Sequence, residues 1–235
     1  METVAENLER VREHIRAAAR RSGRQPEAVR LVAVTKTVAV ERIREAAALG
    51  IREIGENYVQ EAAAKLLALA DLPITRHFIG HLQRNKASRA VQLFDIIQTI
   101  DSLPLAASLS RHAAQAALGG GDTRRELEVL LEVNVAGEAT KSGVAPEAAL
   151  SLAEQVAALP GLRLAGLMGI APLAGAPDEA RRAFRRLRAL FDQLPLPHRR
   201  TLSMGMTGDF EIAIEEGSTM VRIGTGIFGQ RRTSV

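Results

Sequence analysis

A chain of 235 residues can build one large core, and 46% hydrophobic with 25% charged residues excludes a disordered chain. Without cysteine there is no disulfide framework, thiolate metal site or thiol nucleophile, and 3% aromatics leave few rings for stacking nucleic-acid bases. The net charge of +4, carried by an arginine-rich excess, mildly favours anionic partners.

Taken in order, Val4–Arg21 has helical spacing, with acidic and basic residues spread among short apolar ones. That mixture is not a signal peptide, and no segment approaches the roughly 20 apolar residues of a membrane span, so the expected compartment is the cytoplasm. From there, short runs rich in Val, Ile or Leu alternate with longer segments of helical period. The strands are predicted at 31–35, 51–55, 75–79, 94–99, 128–134, 163–168, 199–204 and 219–223. The helices between them are predicted at 38–49, 58–69, 83–93, 104–118, 146–159, 178–194 and 209–216. Continuous apolarity, as in Leu31-Val-Ala-Val34 and Val129-Leu-Leu-Glu-Val133, is expected of parallel strands covered on both faces. Pro104, Pro146 and Pro177 mark helix starts, and Gly50 and Gly119 mark helix ends.

Eight strands, each followed by a helix or a terminal loop, predict a single (β/α)8 barrel preceded by an extra helix; an open doubly wound sheet is the alternative. No linker or composition shift divides the chain, so residues 1–235 are read as one domain.

Barrels carry their chemistry at the C-terminal ends of the strands. Those positions hold Lys36, Glu56 with Asn57, Gly80 with His81, Asp101, Asn134, Met168, Ser203 with Met204, and Arg222 before Gly224. Lys36 stands out, because burial beside an apolar strand disfavours an ammonium and lowers its pKa, giving a nucleophilic amine. The plainer alternative is a rim lysine whose stem packs and whose head reaches water. Gly224-Thr-Gly-Ile-Phe-Gly229 matches a dinucleotide fingerprint in letters only, since the second strand and acidic residue which that fold needs have no room to follow. What remains is a glycine-rich turn suited to a phosphate, close to Ser203-Met-Gly-Met-Thr-Gly-Asp209, or simply a pair of tight turns. If the barrel closes, Arg222 comes near Lys36, either to meet a ring nitrogen of a cofactor or to pair with Glu215 or Glu216. His77 and His81 do not share a helix face, and a capping or loop-ordering role is expected of them rather than a metal. The arginines of 181–188 read as the solvated side of an amphipathic helix.

Several segments together resemble the pyridoxal phosphate homeostasis proteins, a family that binds pyridoxal 5′-phosphate (PLP). They are Ala33-Val-Thr-Lys36, Gly55-Glu-Asn57, His77-Phe-Ile-Gly-His-Leu-Gln-Arg-Asn-Lys86, Asn134 with Glu138 and Lys141-Ser-Gly143, Gly166-Leu-Met168, Leu202-Ser-Met-Gly-Met206 with Asp209, and Val221-Arg-Ile-Gly224 with Ile227-Phe-Gly229. The resemblance implies a barrel like that of alanine racemase, with PLP held as an aldimine on Lys36. It implies further that Ser203 and the backbone around Gly224 and Thr225 bind the phosphate, that Arg222 faces the pyridine nitrogen, and that Asn57 lies near the ring. Lys141 resembles a family lysine that handles the cofactor. The chain departs from the family pattern at Arg76, Thr207 and Gly226, none of which is the lysine or the arginine.

An arginine at the ring nitrogen disfavours its protonation and weakens the electron sink that PLP enzymes use. Racemisation needs acid/base groups on both faces of the substrate carbon, and Tyr58 or His81 is the obvious opposing candidate. The expected role is therefore a PLP carrier or buffer with little or no turnover, and the alternative is a PLP-dependent racemase-like enzyme. A cofactor-free Schiff-base aldolase using Lys36 is a further alternative. Apo PLP-dependent enzymes are the expected recipients. A monomer is expected, and neither nucleic acid nor membrane is expected as a partner.

Overall fold

Eight parallel strands pair in chain order, and the last returns to the first, closing a (β/α)8 barrel. The computed structural model describes residues 3–118, 126–138, 142–172 and 175–230. The strands are β1 (Arg30–Val34), β2 (Glu53–Glu56), β3 (Thr75–Phe78), β4 (Ile96–Ile100), β5 (Leu127–Val133), β6 (Leu162–Gly169), β7 (Thr201–Ser203) and β8 (Met220–Ile223). The helices are α1 (Val4–Arg21), α2 (Val40–Ala48), α3 (Val59–Leu67), α4 (Ala87–Leu93), α5 (Leu103–Leu118), α6 (Ala149–Ala157), α7 (Pro177–Phe191), α8 (Phe210–Glu215) and α9 (Thr225–Phe228).

The extra helix α1 starts at a reciprocal cap: the Glu6 amide donates to Thr3 Oγ1 at 3.2 Å, and the Thr3 amide donates to Glu6 Oε2 at 2.8 Å. Val4, Leu8, Val11, Ile15 and Ala18 recur every three to four residues and bury one face. That face packs on α2, α8 and α9, the helices that flank the junction of β8 with β1. Asn7 adds a hydrogen bond of 3.1 Å to the Ile227 carbonyl. The extra helix thus braces the barrel where the chain's two ends meet.

Two apolar regions follow from strand alternation. Ala33, Ile54, Val221 and Ile223 face outward and join the main core between barrel and helices. Leu130, Ala165 and Met168, with Ile170, form a separate cluster. Arg30, Val32 and Val34 alternate to the inner side. Alongside these and Met220 the lumen carries several polar side chains, which departs from the branched apolar layers usual inside such barrels.

Several predicted boundaries move. The strand predicted at 51–55 begins at Glu53, because Ile51 still closes the helix end with its amide on the Ala46 carbonyl at 3.0 Å. The helix predicted at 83–93 begins at Ala87 after a tight turn at Arg84–Lys86. The strand predicted at 199–204 shrinks to Thr201–Ser203, because Gly205 at φ +97° turns the chain out of extended conformation. The predicted turn 224–229 contains the short helix α9.

At Gly166 two strands press together. A Cβ there would lie 1.9 Å from the Thr201 carbonyl oxygen, which is backbone and cannot swing away. Gly166→Ala must therefore force β6 and β7 apart. We expect a loss of about 3 kcal/mol or more of unfolding free energy in urea titration, the scale of strain at an overpacked backbone position.

Candidate functional site

β1 delivers Lys36 through a constrained turn. The Thr35 carbonyl accepts from the Val38 amide at 3.0 Å, and Thr37 has φ +61°, the only positive φ outside glycine among the described residues. A positive φ at the third position of a four-residue turn marks type II geometry, in which glycine is the favoured residue. Lys36 is the next member of the inward series Arg30, Val32, Val34, and it is half-buried at the rim.

β8 pairs with β1 so that Arg222 lies opposite Val32 and Ile223 opposite Ala33. The following residue, Gly224, comes so close that an added Cβ would sit 3.3 Å from Val34 Cβ. The turn carrying Lys36 and the turn carrying Gly224 and Thr225 are thereby neighbours on the C-terminal rim. The preceding loop adds Thr207, whose Oγ1 lies 3.3 Å from both Thr225 Oγ1 and the Gly226 amide. Asp209 closes that loop by accepting the Met206 amide at 2.6 Å, and burial holds its carboxyl above the usual range.

Beneath the rim a chain of polar side chains crosses the lumen. Arg30 donates twice to Glu53, at 2.9 and 2.8 Å, and Glu53 lies 3.0 Å from His77 Nε2. His77 Nδ1 accepts from Gln98 Nε2 at 2.9 Å, and Gln98 Oε1 accepts from Ser203 Oγ at 2.6 Å. Ser203 Oγ in turn accepts from Arg222 at 2.6 Å, and Arg222 donates a second bond to the Gly169 carbonyl at 3.0 Å. Acceptance at Nδ1 leaves the proton of a neutral ring to Nε2, which lies beside Glu53 without forming a hydrogen bond. His77, Gln98, Ser203 and Arg222 are all buried. Burial pushes the Arg222 guanidinium down to about 10, against the pull of Asp209 and Glu132. It therefore keeps its charge at neutral pH.

Asn57 Oδ1 and Glu132 Oε2 are among the buried oxygens that lack a hydrogen-bond partner, with Glu56 Oε2 and Thr99 Oγ1. Orphan acceptors of this kind are rare in protein interiors and mark places where a ligand or water completes the bonding. Burial, assisted by the charge of Asp101, pushes the Glu132 carboxyl up to about 7 despite Arg222. The rim and lumen thus offer an amine, a buried cation, a glycine-rich turn with hydroxyls, and unfilled acceptors. Together they suit a flat, anionic group with a reactive carbonyl. Among the described residues no cluster of three or more His, Asp or Glu could hold a metal.

Of the residues singled out in the sequence, Lys36, Asn57, Arg222, Gly224 and Thr225 converge at this end of the barrel. Ser203 lies one layer lower, with its hydroxyl committed to Gln98 and Arg222. Glu215 and Glu216 do not pair with Arg222; they bind Arg21, Arg181 and Arg185 on the outer surface. His77 is neither a cap nor a loop residue but part of the lumen chain. His81 sits on the rim, 3.7 Å from Asp101. Lys141 lies outside the described residues. Gln98 and Glu132 escaped the sequence reading, although each interrupts an otherwise apolar stretch near the C-terminal half of its strand, which is the signal that would have found them.

Residues 7–232 match the family model described as the alanine racemase N-terminal domain. A pyridoxal phosphate homeostasis protein from Pseudomonas aeruginosa is 47% identical, across 98% of this chain and 97% of its own length. The chain belongs to the pyridoxal phosphate homeostasis protein family. A second member, from Aquifex aeolicus, is 43% identical, across 97% of this chain and 98% of its own. The structure of PipY from Synechococcus elongatus with PLP bound superposes with a TM-score of 0.80 at 37% identity, across 97% of this chain and 100% of that one. The chemistry of these residues is compatible with PLP: an amine and a glycine-rich turn with hydroxyls stand at the rim, and a buried cation stands in the lumen.

Glu132 yields a pH-dependent prediction. Its folded pKa, about 7, stands above the unfolded value of 4.5, so its contribution is full below pH 4.5 and lost as pH rises through about 7. Against Glu132→Gln, which cannot ionise, wild type should lose about 3 kcal/mol of relative stability between pH 5 and pH 8. Urea titrations of both ligand-free proteins at the two pH values measure the difference. Parallel pH dependence would show that Glu132 is already ionised at pH 5.

Proposed function

We propose that this chain binds PLP through Lys36 and serves PLP homeostasis as a carrier or buffer, with little or no turnover. The observation that carries this is the register of β1 with β8, which sets the Lys36 turn beside Gly224 and Thr225, above the buried charge of Arg222. The family names of the relatives and the PLP held by PipY support it.

When bound, PLP supplies an aldehyde that a lysine amine can attack with loss of one water, and a ring that can act as an electron sink. Lys36 Nζ is the attaching amine. The backbone around Gly224 and Thr225, with the Thr207 hydroxyl, would hold the phosphate. Arg222 would meet the pyridine nitrogen, and Asn57 Oδ1, unpaired in the protein alone, would lie beside the ring. Ser203 then acts through Arg222, keeping the guanidinium aimed, rather than on the phosphate itself. A charged arginine at the ring nitrogen keeps a proton away from that atom, which suits storage better than carbanion chemistry.

Racemisation would require a group poised over the face opposite Lys36. Tyr58 is 57% exposed and the His81 side chain 58% exposed, so neither is held over a reacting atom by packing. This supports the carrier over the racemase. We place the protein in the cytoplasm as a monomer that passes PLP to apo enzymes; among the described residues no helix is long and apolar enough to cross a membrane.

The decisive measurement is the visible spectrum of purified protein with added PLP, beside Lys36→Ala. Wild type should show a visible band, and borohydride followed by mass analysis should place the adduct on Lys36. The variant should show neither. A colourless wild type would overturn PLP attachment and leave an aldolase as the better account, while rapid racemisation of amino acids by the loaded protein would overturn the carrier.

A further inference from the structure

On the outer side of β1, away from the lumen, lies a buried charge cluster that the PLP site does not use. Lys65, on α3, is 9% exposed and donates three hydrogen bonds: to Glu56 Oε1 at 2.9 Å, to Glu61 Oε1 at 2.7 Å and to the Thr35 carbonyl at 2.7 Å. Glu56 Oε1 also accepts from Thr35 Oγ1 at 2.6 Å, and Glu61 Oε1 accepts from the Thr37 amide at 2.6 Å. Every one of these contacts that leaves the cluster ends on Thr35 or Thr37, the two neighbours of Lys36.

Burying an ammonium and a carboxylate costs several kcal/mol per ion before their attraction repays it. A lysine spent on covering α3 would reach water instead, as lysines at such positions ordinarily do. The cluster also has strain to hold. A β-branched residue in the left-handed region is strained, and Thr37 is held there by an amide whose acceptor is the clamp's own Glu61. Without that acceptor the turn could relax toward ordinary φ and swing Lys36 off the lumen axis. Burial acts against the Glu61 carboxylate, but Lys65, the Thr37 amide and the charge of Lys36 outweigh it and keep Glu61 below the usual range. Burial dominates Glu56 and raises its carboxyl.

We propose that Lys65, Glu56 and Glu61 form a clamp that fixes the strained turn Thr35-Lys36-Thr37, making Lys65 and Glu61 positioning residues for Lys36. The clamp touches only backbone and flanking hydroxyl, so it sets where the amine stands rather than supplying a reacting group. This inference rests on Lys36 being the PLP-bearing residue, and the wild-type spectrum above tests that separately.

The test is the rate at which added PLP loads onto Lys36, followed by its visible band and by borohydride trapping, in Lys65→Met, Lys65→Arg and Glu61→Ala. Circular dichroism and thermal midpoints report folding. With the fold retained, Lys65→Met should load about tenfold more slowly, the order expected when a reacting group drifts by a fraction of an ångström. The pH profile of its band should also shift, which a merely structural role would not produce. Lys65→Arg, which keeps the charge and donors, should recover part of the rate. If Lys65→Met fails to fold, Glu61→Ala decides, because that side chain is partly exposed and Lys65 keeps Glu56 and Thr35 as partners, so the variant should stay folded while loading several-fold more slowly. Folded variants that load at the wild-type rate with an unchanged band profile would overturn the clamp. A wild type that never loads Lys36 would instead strike the PLP reading.

Discussion

The parallel pairing of β8 with β1 is the constraint on which the rest depends. Closure removes both sheet edges and leaves no unpaired ladder for another chain to join. It also brings residues nearly 190 positions apart within reach of one another at the rim. Lys36 ends the first strand and Gly224 follows the last; without the register of Val32 with Arg222 they would share nothing. The extra helix α1 packs beside this junction, so its burial stabilises the contact that makes the site.

Closure creates a difficulty as well. A guanidinium inside a barrel must have partners, because an uncompensated buried charge costs far more than any single contact returns. Arg222 meets this with Ser203 and the Gly169 carbonyl, and Ser203 is held in turn by Gln98, which donates to His77. With Ser203 Oγ donating to Gln98 and the Gly169 carbonyl fixed in the backbone, the guanidinium has two anchored acceptors that set its orientation. The lumen therefore departs from an apolar barrel core, and the departure is what lets a permanent cation stand under the rim. Glu132 shows the opposite balance. Burial and Asp101 outweigh the nearby arginine, and its carboxyl holds a proton well above the ordinary range.

Two layers of polar design then surround Lys36. Inside the barrel, the relay aims the cation that the ring of PLP would meet. Outside it, the Lys65 cluster grips the residues on either side of the lysine. Both layers act through neighbours rather than on the ligand. Together they hold the amine and the cation in one arrangement at the rim.

Much of this was legible in the sequence, for a physical reason. Parallel strands covered on both faces are rich in apolar residues, so eight short Val/Ile/Leu-rich segments alternating with helical periods gave the strand count and an α/β class, with closure left open. Lys36 and Arg222 were visible because a charged residue at the end of an apolar strand breaks that pattern. Boundaries were less legible, since the turns around Ile51, Arg84 and Gly205 depend on local hydrogen bonds that periodicity does not report. The partners were not legible at all. That Ser203 faces Arg222, that His77 stands inside the lumen, and that Lys65 reaches back to Thr35 are consequences of closure and of inward or outward alternation. Sequence determined which residues carry charge and where the strands run; only the closed barrel decided which of those charges meet, because that depends on a register between strands that are distant in the chain.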